Sequence, residues 1–217
     1  MTESGVSHDL ASVQEILPGG TAETWTAITP VVPKSAYLAG GTALAVHLKH
    51  RISRDLDFFT EREFNVDQLA AQLSELGDFA PTLVVPGTLN GIFNRTKIQF
   101  LKAGSQRNVE APTVFAGIRI ASVADLMASK LKVIGDRGEL RDYFDIMMIE
   151  EQTDISLENG LELFIQRYQP KVPDAAIAHL LRGLGYMDDV ADDPGLPVSR
   201  RLIEDFWTAR MRTLNPF

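Results

Sequence analysis

Residues 37–60 read YLAGGTALAVHLKHRISRDLDFFT. The apolar SAYLAG at its start predicts a short buried strand. GTALAVHLKHR predicts a helix with Leu44 and Leu48 spaced i, i+4 on one face, and DLDFFT alternates polar and apolar positions as a strand does. A Gly-Gly-Thr turn before a helix presents free N–H groups and the positive end of the helix dipole with little side-chain bulk. A phosphate can therefore sit against Gly40, Gly41 and Thr42, although the same pair of glycines also serves as an ordinary tight turn. Asp55 and Asp57 stand i, i+2 on a strand, so both carboxylates share one face while Leu56 and Phe58 enter the core. Two carboxylates so close repel unless a cation or proton lies between them. Mg²⁺ is the expected occupant, because it takes hard oxygen ligands and keeps positions for phosphate and water. Alone, Asp-x-Asp is equally the pattern of a charged strand edge. The helix runs away over residues 42–54 and the chain returns on a neighbouring strand. The turn and the acidic pair are thus expected at one end of a sheet, where one site holds an NTP by its phosphates and its metal together.

The rest of the chain limits what surrounds this stretch. Its 217 residues, 45% hydrophobic and 23% charged, suit a soluble domain with a real core. No apolar run reaches the roughly 18 residues of a membrane span. The opening MTESGVSHDLASV has neither a basic nor an apolar signal region, so a cytoplasmic protein without a membrane partner is expected. The absence of Cys excludes a disulfide scaffold and thiol catalysis. A net charge of −8 argues against a surface that grips nucleic acid all over, but leaves room for local basic patches. Cations concentrate at Lys49, Arg51 and Arg54, and again at Lys130, Lys132, Arg137 and Arg141. His47 and His50, with Lys49 and Arg51, are expected to form a basic face able to meet a phosphate backbone. Trp25 and Trp207 are expected in the core.

Residues 1–34 predict short helical pieces and a loop. VDQLAAQLSEL predicts a helix, with Leu69, Leu73 and Leu76 on one stripe. APTLVVP, GIFNR and TKIQFLKA predict antiparallel strands, with GTLNG as a turn. From about Ala121 the period becomes helical. SVADLMASKLKVIGDRG has Ser122 as N-cap and Gly135 near its end, and further helices follow to the C-terminus. The expected fold is α+β: a mixed β-sheet flanked by helices over residues 1–120, then a helical region over residues 121–217.

The Gly-Gly turn followed at this distance by Asp-x-Asp resembles the nucleotidyltransferase superfold related to DNA polymerase β. The fuller text YLAGGTALAVHLKHRISRDLDFFT, with KLKVIGDRGELRDYFD from Lys130 to Asp145, is similar to its AbiEii/AbiGii toxin branch, which includes the MenT toxins. That resemblance implies Mg-dependent transfer of a nucleotide from an NTP to an acceptor hydroxyl. The implied acceptor is RNA, with the tRNA 3′ end leading, and the implied role is that of a toxin held by a cognate antitoxin. A small-molecule or protein acceptor, or a degenerate member that binds without turnover, are the alternatives. Carried onto this chain, the resemblance implies Asp55 and Asp57 as metal ligands, and Gly40, Gly41, Thr42 and Ser53 against the nucleotide. Lys130 falls on the triphosphate, and Asp145 completes the site or orients Lys130. Arg51, Arg54, Arg137 and Arg141 are additional candidates. Leu126, Met127, Leu131 and Ile134 account for the packing of the Lys130 helix, which leaves the ammonium free to reach phosphate. Arg141 and Asp145 can instead form an ordinary surface pair. One departure stands out: Gln99 occupies the slot where such enzymes carry a third carboxylate, and an amide takes no proton at neutral pH.

Overall fold

The computed structural model describes residues 9–104 and 106–214. These fall into two compact units, one of residues 9–104 and 112–121, the other of residues 106–111 and 122–214.

The first unit is a mixed seven-stranded sheet with helices. A 3-10 turn at Leu10–Val13 and helix α1 (Gly19–Ile28) precede the sheet. Strand β1 (Ala36–Ala39) passes directly into α2 (Gly40–Leu48), which ends where Lys49 turns left-handed at φ 53°. Then follow β2 (Leu56–Thr60), α3 (Val66–Leu76), β3 (Phe79–Val85), β4 (Thr88–Phe93) and β5 (Thr96–Lys102). A short hairpin of β6 (Thr113–Phe115) and β7 (Ile118–Ile120) completes the sheet, in the order β3-β4-β5-β2-β1-β7-β6. The pairs β2–β5 and β1–β7 are parallel and the remaining pairs antiparallel. Central β1 is buried along its whole length, as a strand covered on both faces must be, whereas β2 alternates buried and part-exposed residues. Phe58 and Phe100, in direct register, stack with centroids 4.7 Å apart and hold β2 against β5. Trp25 is fully buried, as expected.

Two sequence expectations need correction in this unit. GTLNG is not a turn: residues 88–91 lie within β4, and the reversals fall at Pro86-Gly87 and Asn94-Arg95. Gly91 is there because the Phe79 ring crosses it, and a Cβ would come 2.7 Å from Phe79 Cζ. Gly87, at φ 77°, makes the turn. The basic face is the second correction. His50 and Arg51 are buried, so they join no exposed stripe with Lys49, and the His47 ring bonds the Ala121 carbonyl at 2.9 Å.

The second unit is helical: α4 (Val123–Arg137), α5 (Leu140–Gln152), α6 (Leu157–Tyr168), α7 (Pro173–Leu184) and α8 (Arg200–Thr213). Ser122 caps α4, accepting from the Asp125 amide at 3.0 Å. Gly135 lies near the end of this helix, as expected, two residues before Arg137. It lets α7 approach, since a Cβ there would stand 2.7 Å from Leu180 Cδ2. Trp207 of α8 packs edge-on against Tyr143 of α5. A buried ion pair of Arg167 and Asp125 anchors residues 106–111 to the helices. Arg167 donates to the Arg107 carbonyl, and Asp125 accepts from the Val109 and Glu110 amides. Among the described residues no helix is long and apolar enough to cross a membrane.

Candidate active site

In the first unit the turn and the acidic strand meet. Ala39, the last residue of β1, is in direct register with Asp57 of β2, so Asp57 lies beside the turn that opens α2. Gly40 has φ 66°, a left-handed conformation that suits glycine, and a Cβ added there would stand 2.7 Å from Asp57 Oδ2. Gly41 is equally constrained: a Cβ would collide with Nη2 of Arg51 and come 3.3 Å from Ser53 Oγ. The two glycines therefore bring backbone N–H groups, the Asp57 carboxylate and the Arg51 guanidinium into one small volume. Thr42 is buried. Its hydroxyl lies 2.7 Å from Ser53 Oγ and donates to the Asp55 carbonyl, which ties the start of α2 to the entry of β2. Thr42 and Ser53 thus brace the turn.

Asp55 and Asp57 are both part-exposed, while Leu56 and Phe58 between and after them are fully buried. Asp57 is also in register with Gln99 of β5, and Gln99 with Asn90 of β4. Residues in direct register share a face, so a row of Asp57, Gln99 and Asn90 crosses three strands. The Asn90 carboxamide oxygen is buried with no hydrogen-bond partner among the described residues. Amides, not carboxylates, continue the acidic pair across the sheet. Among the described residues no three His, Asp or Glu side chains gather as a ready metal cage. Arg54 is exposed, its carbonyl held by the Thr21 hydroxyl at 3.1 Å.

In the second unit the Lys130 ammonium is not left free. Lys130 is 7% exposed, and its Nζ lies 2.6 Å from Asp142 Oδ1 and 2.6 Å from Asp145 Oδ2, with Asp145 fully buried. Asp142 also accepts from the Glu139 amide at 3.0 Å, which closes the capping box of α5. The surface pair of Arg141 with Asp145 does not form: Asp145 points inward to Lys130, and exposed Arg141 pairs with Glu139. Arg137 is exposed in the last turn of α4. Sequence reasoning missed Asp142, although Asp142 and Asp145 at i, i+3 share a helix face and the pattern contained that signal. Neighbouring Tyr143 donates to the Gly183 carbonyl at 2.8 Å. Burial, then the Asp189 and Asp142 carboxylates, push its hydroxyl up to about 12.

Comparison with known proteins now bears on this geometry. The family model for the nucleotidyl transferase AbiEii toxin, Type IV TA system, matches residues 29–106 and 103–214. The chain belongs to the AbiEii nucleotidyltransferase toxin family. It is 26% identical over 165 residues to the uncharacterized protein aq_aa25 of Aquifex aeolicus, covering 72% of this chain and 76% of that one. A candidate nucleotidyltransferase of H. pylori shares the fold at a TM-score of 0.51 and 16% identity, covering 98% of this chain and 95% of the other. MenT4, a nucleotidyltransferase toxin of Mycobacterium tuberculosis, aligns at a TM-score of 0.47 and 14% identity over 96% of this chain and 84% of its own. As an AbiEii-family member the chain is a nucleotidyltransferase of a toxin–antitoxin system, with a nucleotide as substrate and an antitoxin as the partner its family implies.

Proposed function

We propose that this AbiEii-family enzyme transfers a nucleotide from an NTP, with Mg²⁺, to the terminal hydroxyl of an RNA, the tRNA 3′ end first among acceptors. Its cognate antitoxin restrains that activity. The observation that carries the reading is the Gly40 turn against Asp57: a position with no room for a Cβ sets helix N–H groups beside a carboxylate in register with the preceding strand. Asp55 and Asp57 offer hard oxygens from two part-exposed positions, the donor type Mg²⁺ prefers, and would hold the ion. When bound, the metal neutralises phosphate charge and polarises the transferred phosphoryl group.

The chain's own residues do the positioning. The Gly40 and Gly41 amides and the α2 dipole orient the phosphates, Arg51 adds charge beside Gly41, and Thr42 with Ser53 keeps the turn in place. The acceptor oxygen bonds to the α-phosphorus, the bond to the bridging β-phosphate oxygen breaks, and pyrophosphate leaves with the electron pair. Gln99 cannot accept the hydroxyl proton, which passes to solvent water. Lys130 is required for turnover, with its ammonium fixed by Asp145 and Asp142.

The test offers four labelled NTPs, with and without Mg²⁺, to total RNA and to purified tRNA. Label entering RNA only with Mg²⁺ is the expected result. Label in protein or a small molecule would reject the RNA acceptor. Gln99 opposite Asp57 favours one second reading, nucleotide binding without turnover, which predicts saturable NTP binding and no label in any acceptor.

A further inference from the structure

A cavity of about 320 Å³ lies in the first unit, lined by Asp55 and by the β4–β5 turn. Arg54, Arg95 and Lys97 line it together with Asp55, Ile92 and the start of α1. All three cations are exposed, and among the described residues none has an ion-pair partner. By contrast Lys102, Lys132, Arg200 and Arg210 each meet a carboxylate. In a chain of net charge −8, three cations around one hollow, set against the single lining carboxylate of Asp55, are suited to an anion with several charges.

The walls are built as well as charged. Thr96 Oγ1 donates to the Gly20 carbonyl at 3.2 Å and receives the Thr24 hydroxyl at 3.0 Å, while Thr21 holds the Arg54 carbonyl. The start of α1 is thereby fastened to both β5 and the entry of β2. Arg95 occupies an unfavourable position. With Asn94 at φ 45° and Arg95 at φ 72°, both residues of the two-residue β4–β5 turn are left-handed, and glycine is the favoured occupant of the second. A long cation there is strained, and its side chain lines the cavity.

Topology orients the hollow. The Gly40 turn lies on the β1 side of Asp57, whereas Lys97 lies on β5, the opposite neighbour of β2. In-line displacement puts the entering hydroxyl and the leaving pyrophosphate on opposite sides of the transferred phosphorus. With phosphates on the glycine side, the acceptor enters from the β5 side. We propose that this cavity binds the phosphodiester backbone of a single-stranded RNA 3′ end, with Arg54, Arg95 and Lys97 on successive phosphates and Ile92 against a ribose or base. The assignment of RNA rests on the function proposed above; the multivalent anion site rests on the cavity itself.

The experiment measures binding of a fluorescein-labelled single-stranded RNA of about eight nucleotides across a salt series, for the wild type and for the Arg95→Gly/Lys97→Gln double variant. Glycine relieves the left-handed turn, so the fold is retained, and a melting curve checks this. The expected result is at least about a tenfold loss of RNA affinity. The log-affinity slope against log salt should fall by about 1.4, at roughly 0.7 per lost phosphate contact on a single strand. The KM for NTP should stay within about twofold. Equal RNA affinity in the two proteins overturns the proposal, and so does an undetectable RNA complex in the wild type. A matching rise in the NTP KM also overturns it, because the cavity would then serve the nucleotide. Binding needs no turnover, so an inactive wild type that still binds RNA through these cations counts against the reaction and not against the site.

Discussion

Asp55 and Asp57 lie part-exposed at i, i+2 where β2 meets the Gly40 turn, whereas Asp142 and Asp145 lie buried at i, i+3 on α5 with the Lys130 ammonium 2.6 Å from each. Both are pairs of aspartates a few residues apart in sequence. The helical pair carries its cation inside the fold, where separation would leave charge stranded in a low-dielectric core. The strand pair reaches solvent, where a metal can arrive and depart with its substrate. Two similar motifs in one chain therefore differ in surroundings: the buried set is neutralised inside the fold, and under the function proposed above the solvent-reaching set would take its cation from solvent.

The largest effect expected on stability comes from the buried set. Lys130→Ala leaves two buried carboxylates without their cation and should lower the unfolding free energy by about 3–5 kcal/mol, read by urea denaturation. A loss below about 1 kcal/mol would place Lys130 among exposed ion pairs and erase the contrast. This cost also changes how activity is interpreted: an inactive Lys130→Ala is informative only under conditions where it remains folded. Next is Tyr143, whose folded pKa of about 12 exceeds the ordinary value of 10.0. Its contribution is complete below pH 10.0 and lost as pH rises toward about 12, because the unfolded chain releases the proton first. Stability should drop by about 2–3 kcal/mol across that window, and Tyr143→Phe should flatten the drop. Gly40→Ala follows. It forces a Cβ into left-handed backbone and against Asp57, costing about 1–2 kcal/mol and reducing transfer by more than the loss of fold explains. Smallest is Asp55→Asn, which should change stability by less than about 1 kcal/mol at its part-exposed position while impairing Mg-dependent transfer.

Much of the first unit was legible because its periods are clean. YLAGG, the short helix and DLDFF switch from period 2 to 3.6 and back, and the register of Ala39 with Asp57 follows from that return. Gly91 misled because glycine marks a turn and a close approach alike, and only the Phe79 ring shows that this one is an approach. The β6–β7 hairpin, with three residues to a strand, is too short to display alternation. The Lys130 cluster was half visible. The i, i+3 spacing of Asp142 and Asp145 puts them on one face, but only packing shows that the face is turned inward onto Lys130. Arg167 with Asp125, and buried Arg51, were hidden for the same reason: a charged letter in a sequence reads as surface until a partner or a turn encloses it.

Metal-dependent transfer through Asp57 is tested most directly by single-turnover incorporation of labelled NTP into RNA across a Mg²⁺ titration, for the wild type and Asp57→Asn, with a melting curve on each. The result expected is a loss of about 10²–10³-fold in rate that added Mg²⁺ does not restore, with the melting temperature within about 4 °C of wild type. A folded Asp57→Asn enzyme that transfers at near wild-type rate, with the same Mg²⁺ dependence, would contradict it.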